Sequence, residues 1–177
     1  MIYKTDYDSP IGKMILASDG QALIGLWLYN QKYFLGQLHE ELVEKDDLNV
    51  FHLTKQWLDQ YFNQQKPSIT NLPLAPRGSK FQKDVWQILC EIPYGEVVTY
   101  GSIASQMAQK MKRETMSAQA VGGAVSHNPI SIIIPCHRVV GSNGNLTGYA
   151  GGIDKKIKLL ELEGLHIVHE KICKKGR

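Results

Sequence analysis

Residues 65–79, "QKPSITNLPLAPRGS", place three prolines and a glycine in fifteen positions. Proline removes a backbone donor and fixes φ, so neither a helix nor a central strand runs through this stretch. The 177-residue chain is therefore divided, and the two parts carry different periodicities. Apolar residues alternate in the first part and recur at helical spacing in most of the second. The boundaries this predicts are an amino-terminal domain at 1–72, a linker at 73–79, a second domain at 80–165 and a tail at 166–177.

The first domain opens with strand-like pieces near 2–7, 13–17 and 22–29, separated by the turn-type clusters "SPIG" and "SDGQ". They predict a small antiparallel meander. In "VFHLTKQWLDQYFNQ" (50–64), Val50, Leu53, Trp57, Leu58, Tyr61 and Phe62 fall at helical spacing, so one helix can cover that sheet. Its aromatics are expected in the core. The fold class is thus an α/β amino-terminal domain with a small antiparallel sheet plus a helix.

The second domain is predicted to be mostly helical. Ser79 is placed to cap a helix with Phe81, Val85, Trp86, Leu89 and Ile92 on one face, and Cys90 is read as packing within it. Thr99 can cap a short helix, "YGSIASQMA"; after the polar connection "QKMKRETM" comes another, "SAQAVGGAVS". Two short helices in succession resemble a helix-turn-helix with a long connection. Ala118, Ala120, Gly122, Gly123 and Ala124 leave the second helix almost bare, which suits either close approach to another backbone or tight helix packing. A last amphipathic helix is predicted at 154–164, closed by Gly164, and the tail is expected to pack loosely.

Charge follows the same division. Residues 1–79 hold seven Lys/Arg against nine Asp/Glu, a net of −2, while 80–177 hold thirteen against eight, a net of +5. A polyanion, if one binds, is expected to meet the second domain. The apolar runs are too short to span a bilayer, and no signal-peptide pattern opens the chain. Cys90, Cys136 and Cys173 have no paired spacing. They predict free thiols in a reducing, cytoplasmic setting, with no structural metal and no cofactor.

One stretch fits no core element. In "ISIIIPCHRVVG" (130–141) an apolar run ends in Cys136, His137 and Arg138. Only a thiolate is nucleophilic, and burial beside isoleucines opposes its formation unless a base is supplied. Neighbouring side chains on an extended segment face opposite ways, so His137 would need a bend or a bridging water to serve. On the residues alone, an inert buried cysteine and a nucleophile both stand. A thiol hydrolase would need an oxyanion hole as well. A DNA-binding regulator would have no need of the Cys–His pair.

"PCHRVVG", preceded by "HNPISIII" and followed by "GYAGG" and "KLLELEG", resembles the active-site region of the O6-alkylguanine-DNA alkyltransferases, the methylated-DNA–protein-cysteine methyltransferases. "FQKDVWQILCEIPYGEVVTYGSIA" and "AVGGAVSHNP" are similar to the rest of that family's DNA-binding domain, of winged-helix-like helix-turn-helix type, and "SPIG" with the meander to its amino-terminal domain. The resemblance implies that Cys136 takes the alkyl group from O6-alkylguanine, with O4-alkylthymine a further candidate, in one irreversible step. The base is flipped out of double-stranded DNA, and the protein acts as a monomer without a membrane. His137 would accept the thiol proton through water, Glu163 would polarise the imidazole, and Tyr100 would protonate the guanine ring. Asn128 would be the hinge that ties the recognition helix to the cysteine segment. Backbone groups of Cys136 and Val139 would read the guanine edge, Tyr149 would line the pocket, and the amide of Ala150 would face O6. Ala118, Gln119, Ala120, Gly122 and Gly123 would lie against the minor groove. Two positions depart from the family's pattern: Gln119 stands where an intercalating arginine is usual, and Ala150 replaces a serine of some relatives, which bears on bulky alkyl groups.

Overall fold

The computed structural model describes residues 1–173. They form two compact units, one of residues 1–77 with 129–133 and the other of 78–128 with residues from 134 onward.

In the first unit, β1 (Ile2–Ser9), β2 (Gly12–Ser18) and β3 (Leu23–Leu28) are the expected antiparallel meander. The sheet is nevertheless mixed. A short β4 (Leu42–Glu44) runs parallel to β1, pairing Ile2 with Leu42 and Lys4 with Glu44, and gives the order β3-β2-β1-β4. Three half-buried or exposed residues show no alternation, so sequence pattern carries no trace of this strand. Helix α1 (Asn49–Phe62) buries Val50, Phe51, Thr54, Trp57, Leu58 and Tyr61 and packs against β1, β2 and β3. The other face is covered by a cluster of Ile2, Ile15, Ala17, Ile24 and Trp27 with Phe34, Leu35 and Leu38 from the loop that follows. With both faces covered, every residue of β3 is buried. The edge of β3 is also occupied: Leu23 exchanges hydrogen bonds with Pro73 and Ala75, and Leu26 with Pro129 and Ser131.

In the second unit, α2 (Lys80–Cys90) opens with a complete capping box between Ser79 and Gln82, and it buries Val85, Trp86 and Leu89. A two-residue β5 (Val98–Thr99) leads into α3 (Tyr100–Lys110), capped by Thr99, and α4 (Ala118–Ser126) is capped by Ser117. Helices α2, α3 and α4 pack on one another, and Trp86 Nε1 donates to the carbonyl of Ala124 at 2.8 Å. Strand β6 (Val139–Val140) pairs in parallel with β5, Val98 with Val139. Helix α5 (Ile153–Leu162) ends at Glu163 and Gly164, the glycine at φ 95°, where a side chain would be strained.

The tail differs from expectation. Strands β7 (His166–Val168) and β8 (Lys171–Cys173) make a hairpin whose Ile167 and Ile172 pack on Val140, Leu146 and Leu160. Two apolar residues in a basic stretch are enough to dock it once a neighbouring cluster exists, and that cluster is tertiary. Residues 174–177 lie outside the described residues.

The ring of Trp27 folds back over Gly25, its neighbour two positions away on the same face of β3, and occupies the space a β-carbon would need. Gly25→Ala is therefore expected to displace a buried tryptophan and lower unfolding stability by about 1–3 kcal/mol in urea titration. An unchanged midpoint would mean that the indole does not rest there.

Candidate active site

The apolar run before Cys136 is not a strand. Ile132 takes φ 69°, a conformation rare for a β-branched residue, and the chain then turns sharply, with Cys136 N–H donating to Ile134 C=O at 2.8 Å. Cys136–Arg138 form a 3-10 turn, which supplies the local bend that an extended segment would lack. All three side chains are buried, His137 completely.

The turn is held by Glu163 at the end of α5. His137 Nε2 lies 2.6 Å from Glu163 Oε2. Arg138 reaches the same carboxylate with Nε at 2.8 Å and a terminal nitrogen at 3.2 Å, and donates once more to Ile92 C=O at 2.7 Å. Gly95 N–H adds a further bond at 2.9 Å. A buried carboxylate would ordinarily be pushed up, but the hydrogen bonds from His137 and Arg138 and the Arg138 charge overcome burial and hold Glu163 below the usual carboxylate range. His137 moves below its usual value because burial, with Arg138 and Lys156 nearby, outweighs the attraction of Glu163. The ring is therefore neutral at rest. An ionised carboxylate can only accept, so Nε2 carries the proton and Nδ1 is the basic nitrogen.

Cys136 is pushed above the usual thiol range by burial. Four influences oppose this: the Asn128 side chain, the charge of Lys156, and the N–H groups of Cys136 and His137. Asn128 also donates from Nδ2 to Ile134 C=O at 2.7 Å, joining the end of α4 to the cysteine turn. Lys156 is a site residue that sequence reasoning missed. It is fully buried, with Nζ donating to Val139 C=O at 2.6 Å and to Thr147 C=O at 2.9 Å, and burial brings it down to about 8. The signal was present: Lys156, Leu159, Leu160 and Glu163 share the i, i+3, i+4, i+7 face of α5.

Tyr100, the first residue of α3, is pushed above the usual phenol range by burial and by Cys136, with the Thr147 side chain opposing. A β-carbon on Gly122 would stand 3.9 Å from its ring. Val139 is buried, whereas Tyr149 and Ala150 are half-buried in the loop before α5. On α4, Val121, Ala124 and Val125 face inward, whereas Ala118, Gln119, Ala120 and Gly123 are exposed. Tight packing thus accounts for the inward face of the bare helix, and its other face is exposed. Among the described residues no group of three His, Cys, Asp or Glu could hold a metal, and no helix is long and apolar enough to cross a membrane.

A buried Cys136–His137–Glu163 set thus lies in the same helical unit as a pair of short capped helices. The chain matches the family models described as the 6-O-methylguanine DNA methyltransferase ribonuclease-like domain over residues 2–76 and DNA binding domain over residues 80–165. It is similar to the methylated-DNA–protein-cysteine methyltransferase of Haemophilus influenzae, 40% identical over 162 residues covering 92% of this chain and 86% of that protein. The protein of that name from Methanosarcina acetivorans is 42% identical over 163 residues, 92% of this chain and 99% of the relative. The crystal structure of Mycobacterium tuberculosis OGT in complex with DNA superposes with a TM-score of 0.78 at 40% identity, covering 91% of this chain and 92% of the other. The chain belongs to the 6-O-methylguanine DNA methyltransferase family.

Two outcomes follow from these electrostatics. Removing a group that favours the thiolate, as in Asn128→Ala or Lys156→Met, is expected to slow iodoacetamide modification of Cys136 at pH 7 by roughly three- to tenfold, with Cys90 and Cys173 replaced by serine. Stability should also fall with acid. Unfolded His137 takes a proton below about 6.5 and the native ring resists it, while Glu163 keeps its native charge until well below the unfolded value of 4.5. The unfolded state then binds more protons, so the urea midpoint is expected to drop steadily from pH 6.5 toward pH 3. A midpoint flat across that interval would contradict the assigned charge states.

Proposed function

We propose that Cys136 is the residue to which this protein transfers the alkyl group of O6-alkylguanine in double-stranded DNA. The protein is a DNA-repair methyltransferase that acts on its own cysteine. The observation that carries the residue assignment is the buried hydrogen bond to Glu163 of His137, the residue that follows Cys136. The thiol proton passes toward Nδ1 of His137, sulfur attacks the alkyl carbon, and the carbon–O6 bond breaks as Tyr100 gives its proton to the guanine ring. Sulfur ends as a thioether, which has no good leaving group, so each molecule acts once.

The target lies inside a base stack, and the exposed bare face of α4 is the surface we assign to the minor groove, with the base flipped toward Cys136. Gln119 fills the gap in the stack and can pair with the orphaned cytosine through its amide. Asn128, Val139, Tyr149 and Ala150 would frame the pocket. The same reading makes the protein a monomer in a thiol-reducing, cytoplasmic setting, in keeping with three free cysteines.

Incubation with duplex DNA containing O6-methylguanine tests the assignment by mass. One methyl group is expected on the peptide that contains Cys136, and Cys136→Ala should bind DNA but accept none. Methyl transfer persisting in that variant would overturn the reading. For Gln119→Ala, repair in the duplex is expected to slow far more than reaction with the free base, which needs no flipping. Equal slowing on both would place Gln119 in the pocket or the fold instead.

A further inference from the structure

The hairpin of β7 and β8 lies past the predicted domain boundary at residue 165, and no step of the reaction falls to it. It is nevertheless built onto one particular loop, residues 141–152, which joins β6 to α5 and carries Tyr149 and Ala150. Five of the twelve residues in that loop are glycine, so ordering it costs much conformational entropy. Its first part is a 3-10 turn at Ser142–Gly144, closed by a 2.7 Å bond from Gly141 N–H to Asn145 C=O.

The hairpin meets this turn at three points. Leu146 N–H donates to Glu170 C=O at 2.8 Å. Asn145 and Lys171 form an antiparallel bridge. Ile172 lies against Gly144, where a β-carbon would stand 3.4 Å from both Cβ and the carbonyl oxygen of the isoleucine. Beneath these contacts Leu146 is buried with Val140 and Leu160, and Ile167 and Ile172 pack on that cluster. One residue further on, Thr147 C=O takes a 2.9 Å bond from Lys156, which also donates at 2.6 Å to Val139 C=O. Val139 directly follows the cysteine turn, so backbone contacts link hairpin, loop and turn.

We propose that the β7–β8 hairpin is a positioning element for alkyl transfer, holding the 141–152 loop so that Tyr149 and Ala150 are set before the base arrives. The inference rests on the reading of those two residues as part of the base pocket. Displacement at the alkyl carbon needs that carbon held in line with sulfur, and a small misplacement of the base slows it. Iodoacetamide is not held by the pocket, so a looser rim does not slow it and can only admit it more readily. Binding of the duplex is assigned to α4, which the hairpin does not form part of.

The test uses the full chain and three readouts: single-turnover methyl transfer from duplex DNA containing O6-methylguanine, iodoacetamide modification of Cys136, and hydrogen exchange at the Leu146 amide. Ile172→Ser is expected to slow methyl transfer at saturating protein about fivefold, with the half-saturating concentration unchanged. The iodoacetamide rate should hold or rise, and exchange at Leu146 should quicken about tenfold. Ile172→Val, which keeps the apolar contact, should behave as wild type. Ile167→Ala, a milder loss at the paired position, should move all three readouts in the same direction as Ile172→Ser. Unchanged methyl transfer in both Ile172→Ser and Ile167→Ala, equal slowing with both reagents, or unchanged exchange at Leu146 would overturn the proposal. If the wild-type protein accepts no methyl group at Cys136, the reading of the site falls instead, and exchange at Leu146 still decides whether the hairpin holds the loop.

Discussion

One buried carboxylate organises the second unit. Glu163 sits at the end of α5 and collects His137, the guanidinium of Arg138 and the backbone N–H of Gly95, groups from two segments far from it in sequence. Desolvating a carboxylate costs several kcal/mol, so such a group persists only when its charge and its lone pairs are matched. Here Arg138 matches the charge, and four N–H bonds, two of them from Arg138, fill the lone pairs. The turn at Gly95, the 3-10 turn at Cys136 and the last turn of α5 are thereby fixed together. Removing one partner would leave the others buried and uncompensated, which typically costs about 3–5 kcal/mol.

The sharing has a chemical consequence. Because burial, aided by Arg138 and Lys156, outweighs the pull of Glu163, the carboxylate orients His137 without drawing a proton onto it, and the imidazole stays neutral. A neutral ring with Nε2–H committed to Glu163 presents a basic Nδ1. The thiol, held up by burial, is protonated at rest. The charge that must appear on sulfur is favoured by Asn128 and Lys156 rather than by a resident imidazolium.

Much of this was legible in sequence because its causes are local. The caps at Ser79 and Thr99 follow from side-chain bonds to N–H groups three residues on, and the core face of α1 from spacing alone. The family motifs made Glu163 a candidate, although 26 residues separate it from His137. What escaped reading is tertiary. β4 is too short to alternate, the hairpin of β7 and β8 depends on a neighbouring cluster, and Ile130 joins β3 as an isolated bridge across a hundred residues of chain. Lys156 escaped for a different reason. A lysine on an apolar helix face reads as an intruder until two inward-facing carbonyls, Val139 and Thr147, are seen to receive it.

The chemistry at Cys136 depends most on the state of His137. Nitrogen-15 NMR of the imidazole, with its signals assigned by comparison with His137→Gln, reports protonation and tautomer at once. At pH 7 the expected result is a neutral ring protonated at Nε2, turning to another state only in Glu163→Gln. A doubly protonated ring, or a neutral one with its proton on Nδ1, would contradict the claim that Glu163 prepares a base behind Cys136.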